Sequence, residues 1–124
     1  MRPGRAHLFE RMHELAITQS ILQIATDEAR RVGASRIRVI RLRLGALTDI
    51  VPESVQFYLD ALTRGTPSEG VRLETIPVPV GATCGGCGHS FIVQEYDLTC
   101  PRCGGTGKIT QGRELQVDSL EVES

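Results

Sequence analysis

The chain has 124 residues, of which 40% are apolar, and its 14 basic and 15 acidic side chains give a formal net charge of −1. This length allows one ordinary domain, or a small domain with an insert. The near-neutral charge excludes an overall field that draws the protein to nucleic acid or an acidic membrane. Aromatic residues make up only 4%, so Ile, Leu, Val and Ala must form the core.

The first residues do not read as a targeting or membrane segment. Residues 1–11 contain three arginines, but no apolar run follows them as a secretory signal requires. No stretch of the chain approaches the roughly 20 apolar residues of a membrane-spanning helix. We therefore expect a cytoplasmic protein whose four cysteines stay reduced and available for metal.

The chain from Glu14 to Gly33 predicts a first helix. Residues 1–11 contain Pro3 and Gly4 and lack periodicity, so we expect a flexible N-terminal extension there. After it, apolar and small residues recur every three or four positions and Gly33 provides a stop. This predicted stripe consists of Leu15, Thr18, Ile21, Leu22, Ala25, Ala29 and Val32.

Three strands and a second helix are predicted after Gly33. Residues 36–44 alternate basic and apolar side chains, with a phase slip at Val39–Ile40 that indicates a bulge or burial on both faces. Pro52 suits the first turn of a helix that ends near Gly65. Residues 71–80 and 114–122 read as strands that could pair, leaving the segment between them as an excursion from one sheet.

These patterns predict an α+β fold with a small mixed sheet and two helices, plus an inserted zinc-ribbon domain. Residues 12–80 and 109–124 would form the α+β domain. Residues 81–108, which are rich in glycine and contain all four cysteines, would form the zinc-binding domain.

The four cysteines form the strongest motif in the chain. Cys84 and Cys87 are separated by two residues, as are Cys100 and Cys103, and this paired spacing is typical of a tetrahedral thiolate site. Gly88 and Gly104 follow the two pairs and permit the positive φ that wraps backbone N–H groups around a sulfur. Since all four ligands come from the protein, we expect a structural site without catalytic function, whichever metal is bound. We favour zinc over iron because the chain around the site is larger than a rubredoxin and lacks its aromatic core.

Cysteine pairs of this kind also occur in two other classes of protein. A rubredoxin-like electron carrier would use similar cysteine pairs to hold iron, and a zinc-ribbon adaptor would bind nucleic acid. The cysteine segment contains two basic and two acidic residues rather than a basic stripe, so we expect no nucleic-acid partner. Residues 104–108 resemble a phosphate loop but fail its spacing, and no nucleophile motif is present, so we expect no enzyme.

Several segments resemble the HypA/HybF family of hydrogenase maturation proteins. They are M-H-E-L-A-I-T-Q-S-I-L from Met12, I-R-L-R-L-G-A-L-T from Ile40, V-P-E-S-V-Q-F from Val51, E-G-V-R-L-E from Glu69 and G-R-E-L-Q-V-D-S-L-E-V-E from Gly112, together with the cysteine pairs. The resemblance covers the chain from Met12 to its C-terminus in order.

The resemblance implies a nickel metallochaperone with two metals. Ni(II), the transferred metal, would bind at Met12, His13 and Glu14 through the terminal amine, backbone amide nitrogens and the His13 imidazole. Zn(II) would bind at the four cysteines. The implied partners are a HypB-like GTPase and the large subunit of a [NiFe]-hydrogenase or a urease system. An exposed strand edge would also permit a homodimer.

Two departures from the family pattern bear on these expectations. In the family Met-His-Glu begins the protein, whereas eleven residues precede it here, and only a chain starting at Met12 would provide the free amine. We therefore expect Met12 to be the functional start. Some relatives also carry a histidine directly after the last cysteine, where this chain has Gly104, so an acid-sensitive contribution at the zinc site would rest on His89 alone.

Overall fold

A computed structural model describes residues 3–124, with side chains from His13 onward. In chain order the elements are α1 (Pro3–Arg31), β1 (Arg36–Gly45), α2 (Pro52–Thr63), β2 (Arg72–Val78), β3 (Gly81–Cys84), β4 (Ser90–Ile92), β5 (Gly107–Gln111) and β6 (Leu115–Glu123). This order confirms the predicted α+β class with two helices. Neither helix of the described part is long and apolar enough to cross a membrane.

Helix α1 begins before the predicted start at Glu14. Flexibility was predicted for residues 1–11. Of these, Met1 and Arg2 lie outside the described residues, and so do the side chains of residues 3–11. It stays a prediction. Within the described part, the stripe is buried at Thr18, Ile21, Ala25 and Ala29. Val32 is 58% exposed, so its predicted place in the core is wrong: it follows the last helical residue, Arg31.

The strands form two three-stranded sheets, with the orders β2-β1-β6 and β4-β3-β5. The first contains the strands that precede and follow the cysteine segment, which confirms that this segment leaves one sheet and returns to it. The predicted direct pairing of those two strands is wrong, because β1 lies between them. Strand β1 suits the central place since Val39 and Ile40, on opposite faces, are both buried.

Residues 3–42, Ile50–Thr75 and Val117–Ser124 belong to one compact unit, and Arg43–Asp49 and Ile76–Gln116 belong to another. The domain boundaries predicted from the sequence stay a prediction. The first unit has an aliphatic core between its helices and strands, as the shortage of aromatic residues requires. That core contains Ile21, Ala25, Ala29, Ile37, Ile40, Leu42, Val55, Leu59 and Val71.

The basic side chains of β1 are paired with acids on neighbouring strands. Arg41 donates to Glu74 at 3.1 Å and to Glu121 at 2.8 Å. Arg38 donates to Glu123 at 2.7 Å. These pairs neutralise much of the arginine-rich strand, so it does not offer the basic stripe that a phosphate-binding surface needs.

Candidate metal centres

The second unit brings the four cysteine sulfurs together. Cys84 ends β3 and Cys87 lies in the turn after it, while Cys100 and Cys103 lie in the segment before β5. All four Sγ atoms lie within 4.8 Å of one another, with Cys84 and Cys103 3.4 Å apart and Cys87 and Cys100 3.7 Å apart. A tetrahedral zinc ion with Zn–S bonds of about 2.3 Å requires sulfur–sulfur separations of about 3.8 Å. The donor set therefore fits a zinc ion.

Each cysteine pair is folded into the same tight turn. The N–H of Gly88 donates to the Cys84 carbonyl at 3.0 Å, and that of Gly104 donates to the Cys100 carbonyl at 2.9 Å. Gly88 and Gly104 have φ values of 76° and 77°, in the left-handed region that glycine enters without a steric penalty. The positive φ predicted at both glycines is thus confirmed.

The N–H groups that point at the sulfurs come from other residues. Gly86 donates to the Cys84 sulfur at 3.3 Å, Arg102 to the Cys100 sulfur at 3.4 Å and Gly105 to the Cys103 sulfur at 3.4 Å. Sequence reasoning had not identified these donors. Gly86 and Arg102 each lie two positions after the first cysteine of a pair. The repeated C-x-x-C spacing is therefore the sequence signal that could have identified these two donors. Such contacts offset part of the thiolate charge.

The thiols influence each other's ionisation strongly. The backbone N–H groups of Cys87 and Gly86 lower the pKa of Cys84 to about 6. The Gly105 N–H also acts to lower the pKa of Cys103, but the neighbouring sulfurs of Cys84 and Cys87 outweigh it and raise that pKa to about 12. Four thiolates so close together repel each other unless a cation lies among them. The cluster is therefore built for a divalent ion.

His89 contributes to this site through its backbone. Its carbonyl accepts the Cys84 N–H at 2.9 Å. Its imidazole stacks on Phe91, with ring centroids 6.3 Å apart and an angle of 17° between the ring planes. These contacts place His89 as a packing residue beside the first cysteine pair.

The predicted nickel residues occupy the first unit, in helix α1. The side chain of Met12 lies outside the described residues, and that of His13 is exposed. Glu14 is only 5% exposed, and its Oε2 accepts the Val51 N–H at 2.6 Å. This contact of the Glu14 carboxylate was not foreseen from the sequence, because nothing in the local pattern pairs it with a residue 37 positions away.

A family model described as "Hydrogenase/urease nickel incorporation, metallochaperone, hypA" matches residues 12–122. The chain belongs to the HypA family. Hydrogenase maturation factors HypA from Acidithiobacillus ferrooxidans and Geobacter sulfurreducens are 39% and 42% identical to it over 113 residues, which cover 90% of this chain and all of each relative.

Solved HypA structures share the fold. A solution structure titled as the Ni metallochaperone HypA from Helicobacter pylori superposes with a TM-score of 0.64 at 20% identity, over 90% of this chain and 97% of that one. A second solution structure of a HypA protein gives a TM-score of 0.70 at 22% identity, over 90% and 96%.

Membership of the HypA family places the chain among nickel metallochaperones of hydrogenase maturation rather than among enzymes. The match begins at Met12, where the Met-His-Glu motif begins, and extends through both cysteine pairs. A single family thus accounts for the segments that a rubredoxin-like carrier or a nucleic-acid adaptor would leave unexplained.

Proposed function

We propose that this protein binds Ni(II) through Met12, His13 and Glu14 and delivers it to a [NiFe]-hydrogenase, while Cys84, Cys87, Cys100 and Cys103 hold a structural zinc ion. The observation that carries the nickel assignment is the contrast between two adjacent side chains. The His13 imidazole is exposed, whereas the Glu14 carboxylate is buried and bonded to Val51. Of these two side chains, the imidazole is therefore the one free to bind a metal from solution.

The remaining nickel donors would be nitrogens of the backbone. Ni(II) favours square-planar nitrogen ligation, whereas four thiolates in a tetrahedron select zinc. The two donor sets differ enough for one chain to hold both metals without exchanging them. Glu14 would then contribute its amide nitrogen, which leaves its carboxylate in contact with Val51.

A free amine at Met12 is central to this site. In the chain that begins at Met1, helix α1 starts at Pro3, so the amides of His13 and Glu14 lie inside a helix. A chain that begins at Met12 would place the same amides in the first turn, where backbone N–H groups have no intrahelical acceptor. We therefore propose that the form starting at Met12 binds nickel.

The test is a nickel titration of two forms of the protein, one starting at Met1 and one at Met12, with metal content measured beforehand. We expect one zinc per chain in both forms and tight nickel binding only in the second. His13→Ala should abolish nickel binding, and His89→Ala, a matched histidine change in the other unit, should preserve it. Equal nickel affinity in both forms, or nickel bound after His13→Ala, would contradict the assignment.

Delivery requires partners, and we propose a HypB-like GTPase and the hydrogenase large subunit. The exposed position of His13 supports this, because a carrier site must be reachable by the acceptor. Transfer can be followed by loading the Met12 form with nickel and measuring nickel in the separated large subunit, with and without the GTPase. Retention of all nickel on the carrier would argue against delivery.

A further inference from the structure

A two-residue turn in the second unit has an unusual backbone. Gln94 and Asp97 pair across it, and the Asp97 N–H donates to the Gln94 carbonyl at 2.9 Å. The two residues between them, Glu95 and Tyr96, have φ values of 52° and 61°. Positive φ at both central positions is typical of a type I′ turn, which normally contains Asn-Gly or Asp-Gly. In the described part of the chain, no other residue except glycine has a positive φ.

Within the described residues, side-chain packing does not compensate for the backbone strain of this turn. The side chain of Tyr96 is 91% exposed, more than any other large apolar side chain there. An Asn-Gly turn would close the same hairpin without the steric penalty of two L side chains in the left-handed region. A strained backbone that presents an aromatic ring to solvent is a feature expected where the residue contacts a partner.

The turn is held firmly by its surroundings. The Val93 N–H donates to the Val80 carbonyl at 2.8 Å, before the turn, and the Asp97 carboxylate accepts the Thr99 N–H at 2.9 Å, after it. The Leu98 carbonyl then accepts the Gly107 N–H at 2.7 Å. The segment lies between the two cysteine pairs, so the metal site fixes the chain on both sides of it. The backbone that carries Tyr96 is fixed in this way and loses little freedom on binding.

The side chains at the centre of this turn indicate the chemistry of the partner that would bind it. Glu95 and Asp97 flank Tyr96 and are both exposed, and residues 89–101 contain no Lys or Arg. Tyrosine is among the residues that most often dominate binding energy at protein interfaces. We propose that Tyr96 is the docking anchor for a protein partner that offers an apolar pocket rimmed by basic side chains. This inference rests on the proposed function, since the partner is one that takes part in nickel delivery.

The experiment measures binding of the zinc-loaded full chain to the hydrogenase large subunit and, separately, to the HypB-like GTPase by calorimetry. The key variant replaces Glu95-Tyr96 with Asn-Gly, which keeps the turn and removes both the ring and the Glu95 carboxylate. We expect its affinity for one of the two partners to fall at least about 10-fold, as for loss of an interface anchor. We also expect its thermal unfolding midpoint to rise, because the strain is relieved.

Two further variants separate the ring from the charge. Tyr96→Phe keeps the aromatic ring and should bind within about threefold of the wild type, since most of the contact is apolar. Glu95→Lys should weaken binding to that same partner and lessen its dependence on salt. Nickel and zinc content should stay unchanged in all three variants.

The outcomes separate this inference from the function on which it rests. Wild-type affinity for both partners in the Asn-Gly variant would overturn the docking role of Tyr96 and leave nickel delivery intact. Failure of the wild type itself to bind either partner would overturn both. Loss of affinity together with loss of zinc would also overturn the docking role, because it would show that the ring supports the fold.

Discussion

The carboxylate of Glu14 lies 2.6 Å from the backbone nitrogen of Val51, and this contact joins the two helices of the first unit. Val51 is the residue immediately before α2, in an extended conformation and without a side-chain cap of its own. Glu14 thus supplies a negative charge at the N-terminus of α2, where the helix dipole favours it. The third residue of the Met-His-Glu motif therefore positions the helices as well as belonging to the proposed nickel site.

Substitution of Glu14 should distinguish a carboxylate that anchors α2 from one that serves only the metal. In zinc-loaded protein without nickel, Glu14→Ala should lower the free energy of unfolding by about 1–3 kcal/mol, because it leaves a partly buried N–H without its acceptor. Glu14→Gln retains an oxygen that can accept this N–H and should lose less. Urea unfolding followed by helical circular dichroism measures both values. Equal stability of the wild type and Glu14→Ala would show that the contact does not support the fold.

Gly105 lies so close to the cysteine sulfurs that a methyl group there should disturb the zinc site. A Cβ atom at this position would lie 3.1 Å from the Cys84 sulfur and 3.3 Å from the Cys103 sulfur. Gly105→Ala should therefore lower zinc affinity about 10-fold, the range seen when groups around a metal ligand are altered. Gly85→Ala is the matched control, since its Cβ would meet nothing closer than the Thr106 carbonyl oxygen at 3.9 Å. Chelator competition measures both affinities, and equal values would contradict the prediction.

Arg41 should make the stability of the first unit sensitive to acid. Its hydrogen bond to Glu121 lowers the pKa of that carboxyl below its ordinary value of 4.5. A lowered pKa in the folded state means that the pair stabilises the fold above the unfolded pKa and that this contribution is lost as pH falls through the folded pKa.

We therefore expect wild type and Arg41→Met to differ in unfolding free energy at pH 7 and to converge as pH falls through the lowered pKa of Glu121. The measurement is urea unfolding at a series of pH values. The same series on Glu121→Gln and on the double variant isolates the pair from other titrating groups. Parallel curves for wild type and Arg41→Met would rule out this source of pH dependence.

Local patterns were sufficient to predict both helices and the three strands of the first sheet, but not the strands β3, β4 and β5 of the second. The apolar spacing placed α1 and α2, and the phase slip at Val39–Ile40 anticipated a strand buried on both faces. The cysteine spacing predicted a thiolate cluster, because two residues between cysteines bring both sulfurs to one side of a turn. These features depend on residues close together in sequence.

Features that depend on distant residues were missed. The place of β1 between β2 and β6 follows from tertiary packing, and alternation alone does not specify which strands are neighbours. The Glu14–Val51 contact spans 37 positions. The exposure of Val32 depends on the helix ending at Arg31, and helix ends are poorly fixed by periodicity.

Removal of zinc should unfold part of the second unit and leave the first unit folded. Strands β3 and β5 pair through Ala82, Thr83, Lys108 and Ile109, and few apolar side chains are buried around them. A structural zinc ion contributes about 10–16 kcal/mol of apparent binding free energy in small units of this kind. The first unit has its own aliphatic core between α1, α2 and β1.

After chelation, or in Cys84→Ser, amide hydrogen exchange should therefore accelerate in β3 and β5 while α1 and α2 stay protected. Ser90→Ala, an exposed change in β4 that removes only a 3.1 Å hydroxyl contact with Thr83, should exchange like the wild type. Unchanged protection of β3 and β5 after metal removal would mean that the hairpins fold without zinc.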